Sequence, residues 1–339
     1  MDPLDFAIYR YLSPEGTARF WAGRRMIDPR ITPRAIAERV GLSESGVRSR
    51  LQHLARRGFL RDQAVVPNPS LFGRRMFVTD LPVGDSAEVD HILRDIGLVD
   101  GVVFTRDILD EDERKVQAHF VCEDQTSAAR LGALLGRLSA KSAQAVPRPY
   151  YIPRCARELT SLDWRVLHFV RREPGASFAD LRDAVGISLK TAARCYHHLL
   201  DSRACWWSHG PESEEFPLAL VRVDLEGANH RDPVLEWLEG SAHGWMPVAE
   251  DGFGLEPGAA PNSLAGLVPA DVPTALERFL RKLSAVEGVA KTRRTFALGS
   301  SMFPSWFTDH IAAARFAAER PRLGPRVRRP GRRGREVPP

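Results

Sequence analysis

Two segments of the chain repeat one pattern, and this repeat constrains the fold more than any other feature. Residues 40–54 (VGLSESGVRSRLQHL) align without a gap with residues 185–199 (VGISLKTAARCYHHL), and residues 4–8 (LDFAI) correspond to residues 162–166 (LDWRV). The first copy carries about 13 extra residues between its two segments. Because a recurring pattern of this length marks a recurring structural unit, we expect two related units in one chain.

Each repeated segment has the residues that start and stop the helices of a helix-turn-helix. In the first copy, Thr32 is a good N-cap and Pro33 suits the first helical turn. Gly41 then allows a tight turn, Ser43 caps a second helix, and Gly58 is a suitable left-handed stop after it. The second helix also has an inward apolar stripe at helical spacing, formed by Val47, Leu51 and Leu54.

A small α+β domain is predicted after each helical segment. After the first, strands at 76–83, 102–108, 116–122 and near 149–153 alternate with helices at 86–97 and 127–138. This β-α-β-β-α-β order is that of a ferredoxin-like split βαβ domain. After the second, the same order is followed with different lengths, by strands at 218–225, 263–268 and 292–298 and helices at 233–238 and 272–286.

The predicted fold class is α+β, with two winged helix-turn-helix domains, each followed by a ferredoxin-like βαββαβ domain. The first pair occupies residues 1–66 and 67–155. The second pair occupies residues 156–212, a degenerate helix-turn-helix, and residues 213–319. Residues 320–339 are expected to be a disordered basic tail.

The positive charge of the chain is concentrated at its C-terminal end. The net charge is +5, yet residues 320–339 hold eight arginines and one acid, so the preceding residues are slightly acidic overall. Pro and Gly within this stretch disfavour helix and strand. The tail is predicted to contact DNA phosphates without reading sequence, or alternatively to serve only solubility. The predicted phosphate contacts are Arg328, Arg329, Arg332 and Arg333.

Several classes of protein are disfavoured by the sequence. It holds no run of 18 or more apolar residues and begins with an acidic segment, so we expect a cytoplasmic protein without contact to a membrane. The four cysteines do not show zinc-ligand spacing, and no nucleotide-binding or hydrolase motif is present. We therefore expect no metal, no cofactor and no enzymatic activity.

The second helix of the first helix-turn-helix carries the candidate DNA-binding residues. Its outward stripe, Ser45, Arg48, Ser49 and Gln52, has side chains that read base edges or bind phosphates when such a helix enters the major groove. Arg48 is the strongest candidate. The alternative is a solvated face of a protein-binding module. Further predicted contacts, mainly to phosphates, are Ser43, Arg50, Arg56 and Arg57.

The second helix-turn-helix has a weaker version of this face. Ala193 stands at the position of Arg48, and Arg203 at that of Gly58. Its outward stripe still contains two cations, so phosphate contact is a possible role beside a purely structural one. The candidate residues are Lys190, Arg194 and His197.

These residues resemble those of a known family. Val40-Gly-Leu-Ser43, the helix that follows it, Gly58-Phe-Leu60 and the linker Pro67-Asn-Pro69 are similar to the winged-helix domain and linker of Lrp/AsnC transcriptional regulators. The resemblance implies that double-stranded DNA is the partner and that a small-molecule effector such as an amino acid binds the α+β domains. It also implies dimerisation through those domains, either as a homodimer or as an internal pseudo-dimer of the two copies.

A second family is similar in fold and provides the alternative. Sirohaem decarboxylases of haem biosynthesis also occur as paired or fused copies, and the resemblance implies that His and Arg side chains line a porphyrin pocket. The histidines of the α+β domains are scattered in this sequence. The local candidate for such a site is Asn229-His230-Arg231.

Overall fold

The computed structural model describes residues 3–12, 32–56, 63–110, 113–139, 145–209, 218–241, 243–247, 262–270, 272–303 and 305–319. The predictions made at Arg57, Gly58 and the tail arginines Arg328, Arg329, Arg332 and Arg333 lie outside these residues. The described helices are too short or too polar to span a lipid bilayer.

Three helices near the N-terminus form the first helical module: α1 (Pro3–Leu12), α2 (Pro33–Val40) and α3 (Glu44–Arg56). Thr32 caps α2 by accepting a hydrogen bond from the amide of Ala35, and Gly41 ends α2 with a φ of 71°. Ser43 accepts from the amide of Gly46 at the start of α3. These caps confirm the predicted helix-turn-helix. The core of the module is formed by Phe6, Ile8, Ile36, Ala37, Val47 and Leu54.

The second helical module is built in the same way from α6 (Ser161–Arg172), α7 (Phe178–Val185) and α8 (Leu189–Asp201). Ser177 and Asp180 cap α7 reciprocally, and Gly186 ends it with a φ of 70°. The residue that ends the module is Arg203, which has a φ of 60°. Arg203 therefore keeps the left-handed conformation predicted for its counterpart Gly58, at the steric cost that a side chain imposes there.

Between the two helical modules lies the first sheet half, residues 75–150. It contains β2 (Arg75–Pro82), α4 (Ser86–Ile96), β3 (Val102–Leu109), β4 (Arg114–Cys122), α5 (Gln125–Gly136) and β5 (Arg148–Tyr150). The strands are antiparallel in the order β5-β2-β4-β3. Both helices cover one face, where Phe77, Leu81, Ile92, Phe120 and Leu135 share a core.

The second sheet half, residues 218–302, follows the second helical module. It contains β7 (Leu218–Leu225), α9 (Arg231–Gly240), β8 (Met246–Pro247), β9 (Ser263–Pro269), α10 (Pro273–Leu283) and β10 (Val289–Met302). Its strand order is β10-β7-β9-β8, and α9 and α10 pack on one face through Val234, Leu238, Leu276 and Phe279.

The two halves form one continuous sheet of eight described strands, because β3 pairs with β10 in antiparallel register from Phe296–Leu109 to Met302–Phe104. Strand β10 is 14 residues long, whereas the sequence pattern predicts strand only over 292–298. Its N-terminal part pairs with β7 and its C-terminal part with β3. One long strand thus belongs to both halves.

The linkers of the helical modules pair with each other. Strand β1 (Gln63–Pro67) follows the first module, and β6 (Cys205–His209) follows the second. They form a separate antiparallel pair in which Val65 lies opposite Trp207. A short 3₁₀ turn, Pro69–Phe72, leads from β1 into the first sheet half. Trp206 of β6 packs against the core formed by Val66 and Met76.

A further helix, α11 (Ser305–Glu319), follows β10 and has no counterpart in the predicted pattern. Trp306 and Phe307 insert between the first sheet half and the second helical module, and Ile311 joins the core of that module. The first helical module instead packs directly on Ala265 and Leu267 of the second sheet half. The two modules are therefore mounted differently on the sheet.

Candidate nucleic-acid interface and a polar face of the sheet

Helix α3 presents the predicted outward stripe to solvent. Ser45, Arg48, Ser49 and Gln52 are all exposed, while Val47 and Leu54 on the opposite side are buried. The hydroxyl of Ser45 lies 3.1 Å from that of the cap residue Ser43. The guanidinium of Arg48 donates to Glu44 one turn earlier at 2.6 Å, with 61% of the Arg48 side chain exposed. The stripe is therefore accessible from solvent and lies on a helix whose N-terminus is capped by Ser43.

Arg50 lies on a different side of α3 from this stripe. Its Nη1 donates to Asp5 Oδ1 at 2.7 Å, and the Asp5 side chain is only 6% exposed. A buried carboxylate needs such a partner, so this pair fastens α3 to α1. The second module has Cys195 at the position of Arg50, and there the buried Asp163 is instead bound by Arg157 at 3.0 Å. Arg50 therefore has a structural role within the module in addition to its predicted contact with a DNA phosphate.

Arg56 ends α3 and is exposed. Its Nε donates to the backbone carbonyl of Gln52 at 3.4 Å, which directs the guanidinium along the last turn of the helix. Basic side chains near a helix C-terminus are favoured by the helix dipole.

Helix α8 presents the corresponding face of the second module. Lys190 and Arg194 are exposed on it, and so is His197, whose ring contacts Phe178 at 5.9 Å and Tyr196 at 5.5 Å. Leu189, at the position of Glu44, is 50% exposed. This face therefore carries two cations, but it lacks counterparts of Glu44 and Arg48.

A second site, which the sequence analysis missed, lies on the face of the first sheet half that α4 and α5 do not cover. Four adjacent strands bring together the polar cluster of Asp80, Arg106, Gln117, His119 and Arg148. Asp80 is opposite Gln117 across β2 and β4, and Arg106 is opposite Gln117 across β3 and β4. Gln117 donates to Asp80 at 2.9 Å and lies 3.1 Å from His119 Nε2.

His119 is the centre of this cluster and is almost fully buried. Its ring lies 4.9 Å from that of Tyr150 and 5.2 Å from that of Phe104. Burial lowers the pKa of His119 well below its ordinary value, and the positive charges of Arg106 and Arg148 lower it further. The imidazole is therefore neutral at physiological pH and has a nitrogen able to accept a proton or a hydrogen bond.

Charged residues of the second sheet half adjoin the polar cluster. Thr295 of β10 donates to Asp110 at the end of β3 at 3.2 Å. Arg293 binds Asp224 at 2.5 Å across β10 and β7. Burial lowers the pKa of Arg222, and the nearby charges of Arg293 and Arg148 lower it as well, which places Arg222 close to side chains from both halves. Cations thus outnumber acids on this face.

The signal for the polar cluster was present in the sequence as an alternation. In β4, Lys115, Gln117 and His119 alternate with apolar residues, so one face of a strand that is buried on both sides is polar. By contrast, Asn229-His230-Arg231 does not join this cluster: it starts α9, where Arg231 donates to the carbonyl of Ser263 at 2.8 Å. His119, Arg106 and Arg148 are scattered in the sequence and are brought together by β-sheet register.

The described residues contain no group of three or more His, Cys, Asp or Glu side chains placed to hold a metal. Their four cysteines are free thiols. Burial raises the pKa of Cys205 to about 12, so this thiol is protonated and unreactive.

Comparisons with known proteins identify the first helical module. Residues 28–61 match the profile of a winged helix-turn-helix DNA-binding family. The chain therefore contains a winged helix-turn-helix DNA-binding domain near its N-terminus. No curated protein matches the sequence significantly.

Similar solved structures fall into two groups. The siroheme decarboxylase NirDL is 12% identical, with a TM-score of 0.45, and covers 91% of this chain and 99% of its own. AsnC of E. coli is 15% identical, with a TM-score of 0.31, and covers 42% of this chain and 93% of its own. The leucine response regulatory protein LrpA of Mycobacterium tuberculosis is 22% identical, with a TM-score of 0.28, over 44% of this chain and 90% of its own.

These comparisons correct one prediction and support another in part. The expectation that the chain is not an enzyme is contradicted, because the likeness to siroheme decarboxylase, an enzyme, extends over most of the chain. The similarity to Lrp/AsnC regulators covers about 40–47% of it. The chain is thus a mixed α+β protein with an N-terminal winged helix-turn-helix DNA-binding domain.

Proposed function

We propose that this protein is a sequence-specific transcriptional regulator of Lrp/AsnC type that reads double-stranded DNA with α3. We also propose that its two halves are tandem copies of a winged helix-turn-helix followed by a ferredoxin-like domain. The observation that carries the proposal is the exposed stripe of Ser45, Arg48, Ser49 and Gln52 on the helix that ends the matched DNA-binding segment.

The dimensions and chemistry of α3 suit this role. Its 13 residues extend about 20 Å, enough to lie across the major groove. Serine, arginine and glutamine side chains provide donors for phosphates and base edges. The exposed ion pair of Arg48 with Glu44 stabilises the helix by only about 0.3–0.5 kcal/mol, so DNA can displace Glu44 at little cost.

The Arg48→Ala variant tests this assignment. If Arg48 contacts a base, specific binding should weaken by about 1–3 kcal/mol, roughly 5- to 150-fold, and discrimination at one base pair should relax. The measurement is a titration of the protein on DNA fragments selected from its own genome, repeated across salt concentrations. Arg94→Ala is the matched control, because Arg94 is an exposed arginine on α4, away from the helical modules.

The two variants must differ for the assignment to hold. Equal affinities of the Arg48→Ala and Arg94→Ala variants would remove Arg48 from the interface. Parent protein that binds all fragments equally would overturn sequence-specific regulation. Repeating the titration on a chain truncated before Arg320 distinguishes reading by α3 from phosphate binding by the tail arginines.

We further propose that the two halves act as an internal pseudo-dimer. The pairing of β1 with β6 supports this, because the two strands follow the helical modules at matching positions of the two halves. One chain thereby presents two helical modules, as a dimer of single-copy regulators would. A homodimer of whole chains through the α+β domains is the alternative to this arrangement.

A second candidate function, binding of an acidic small molecule, is favoured by the polar cluster. A neutral buried His119 beside Arg106 and Arg148 offers hydrogen bonds and positive charge to carboxylates. Such a ligand would be the effector of the regulator or, in the enzymatic alternative, a sirohaem-like substrate of decarboxylation. In that alternative an arginine would hold the carboxylate, and His119 would be the candidate proton acceptor.

Titration with sirohaem tests the enzymatic alternative. Binding should change the visible absorption of the tetrapyrrole, and Arg106→Ala should weaken that binding at least about tenfold, since a charge-assisted hydrogen bond contributes roughly 1.5–3 kcal/mol. Arg130→Ala, which removes an exposed arginine of α5, is the control. An unchanged spectrum would exclude sirohaem as ligand. Calorimetry with amino acids would then test the effector role of the same cluster.

A further inference from the structure

Strand β1, which follows the first helical module in the chain, is bonded to the second module. Five residues of β1 pair with five of β6, from Gln63–His209 to Pro67–Cys205. Arg171 of α6 also donates to the carbonyl of Val65 in β1 at 3.4 Å. The backbone N–H of Asn68 donates to the carbonyl of Ala204, the residue just before β6, at 2.8 Å. These bonds tie the strand that follows the first module to the second module.

An antiparallel pair of strands has a local two-fold axis between its strands. Here that axis passes near the Val65–Trp207 pair. Strand β1 follows α3 along the chain, and β6 follows α8 in the same way. This two-fold relates the strands that follow α3 and α8, and a duplex bound by both helices would be contacted at two half-sites.

The two helices differ in charge at matching positions. In α3, Glu44 neutralises Arg48 at 2.6 Å, and the remaining members of the stripe are uncharged hydrogen-bonding side chains. In α8, Leu189 replaces the acid and Ala193 replaces the arginine. The α8 face instead exposes two cations, Lys190 and Arg194.

This difference separates two kinds of DNA contact. Neutral hydrogen-bonding side chains around one arginine are suited to base edges, whereas unneutralised cations are attracted to phosphates regardless of sequence. The ring of His197 packs against Phe178 and Tyr196 and is held on the surface of its own module. The α8 face thus presents positive charge, whereas the α3 stripe presents uncharged hydrogen-bonding side chains around one arginine.

We infer that the chain binds a DNA element with two unequal halves, one read at its base edges by α3 and the other held only at its phosphates by α8. This inference rests on the proposed DNA-binding function and adds to it the form of the DNA site. Single-copy regulators that dimerise present two identical reading helices, so their sites are palindromic. A chain with two different helices would require a specific base sequence in only one half of its DNA site.

The test combines hydroxyl-radical footprinting with selection of bound sequences from a random pool, using the full chain. We expect protection of two segments on one face of the duplex, with a sequence preference in only one of them. The Lys190→Ala/Arg194→Ala double variant should bind every sequence more weakly. It should also lower the slope of log affinity against log salt by about 2, because two phosphate contacts are lost. Arg48→Ala should relax the preference instead.

The control is the Arg130→Ala/Arg137→Ala double variant, which removes two exposed arginines from the first sheet half. A palindromic consensus with equal preference in both halves would overturn the inference, and so would a double variant with the salt slope of the control. Either result leaves sequence-specific binding by α3 intact. A parent chain without any sequence preference would instead refute the proposed function itself.

Discussion

The Trp306→Ala variant should lose about 3–5 kcal/mol of unfolding free energy, the usual cost of removing a large buried aromatic side chain. Trp306 is 6% exposed and lies where α11 separates the first sheet half from the second helical module. Its ring stacks on His310 at 3.9 Å and meets the edge of Phe72 at 5.5 Å. Removing it empties the centre of this contact.

The loss of stability should also be greater in the second helical module than in the first. Because α11 packs on α6, amide hydrogen exchange should accelerate in α6–α8 more than in α1–α3, which rest on the other sheet half. Phe316→Ala on the same helix is the control, because Phe316 is 62% exposed and its removal should change stability by less than about 0.5 kcal/mol. Equal exchange in both modules would show that α11 does not hold the second one.

The second large effect is expected for Asn68→Asp. The Asn68 side chain is buried and donates from Nδ2 to the carbonyls of Pro153 and Arg203, at 2.8 and 2.7 Å. A carboxylate cannot donate, so both carbonyls would lose their partner. At about 1–3 kcal/mol for each unsatisfied buried group, we expect a loss of roughly 2–6 kcal/mol in unfolding free energy.

Chemical denaturation of the whole chain measures this loss. Asn68→Ala should also destabilise the protein, but less, because it brings no negative charge near the two carbonyls. Asn229→Asp introduces the same charge at an exposed asparagine and is the control. If Asn68→Asp unfolds at the denaturant concentration of the control, Asn68 does not fasten the linker between the first sheet half and the second helical module.

The helix-turn-helix could be predicted almost residue by residue, because its signals are local. Thr32, Gly41 and Ser43 act on the backbone of their own turns, and all three have the predicted cap or left-handed conformation. Three of the four strands of the first sheet half agree with the sequence prediction within about two residues, whereas β5 ends at Tyr150 rather than near residue 153. Helix α5 begins at Gln125 rather than Ser127, because Asp124 is its cap.

The polar cluster could not be predicted, because it depends on register. Asp80, Gln117 and Arg106 are far apart in sequence and meet only when β2, β4 and β3 pair as they do. Helix α11 was missed for a related reason. The helix is buried at Trp306, Phe307 and Ile311 by the first sheet half and the second helical module. This burial depends on contacts between distant parts of the chain, which the local sequence pattern does not indicate.

The repeat itself therefore determined the kinds of elements and their order, since caps, turns and apolar periodicity are properties of short segments. The tertiary structure decided how the two parts differ. It placed the first helical module directly on the sheet and the second on α11, and it paired Arg50 with Asp5 while leaving Arg48 exposed. Those outcomes depend on contacts between residues distant in sequence, which no local pattern encodes.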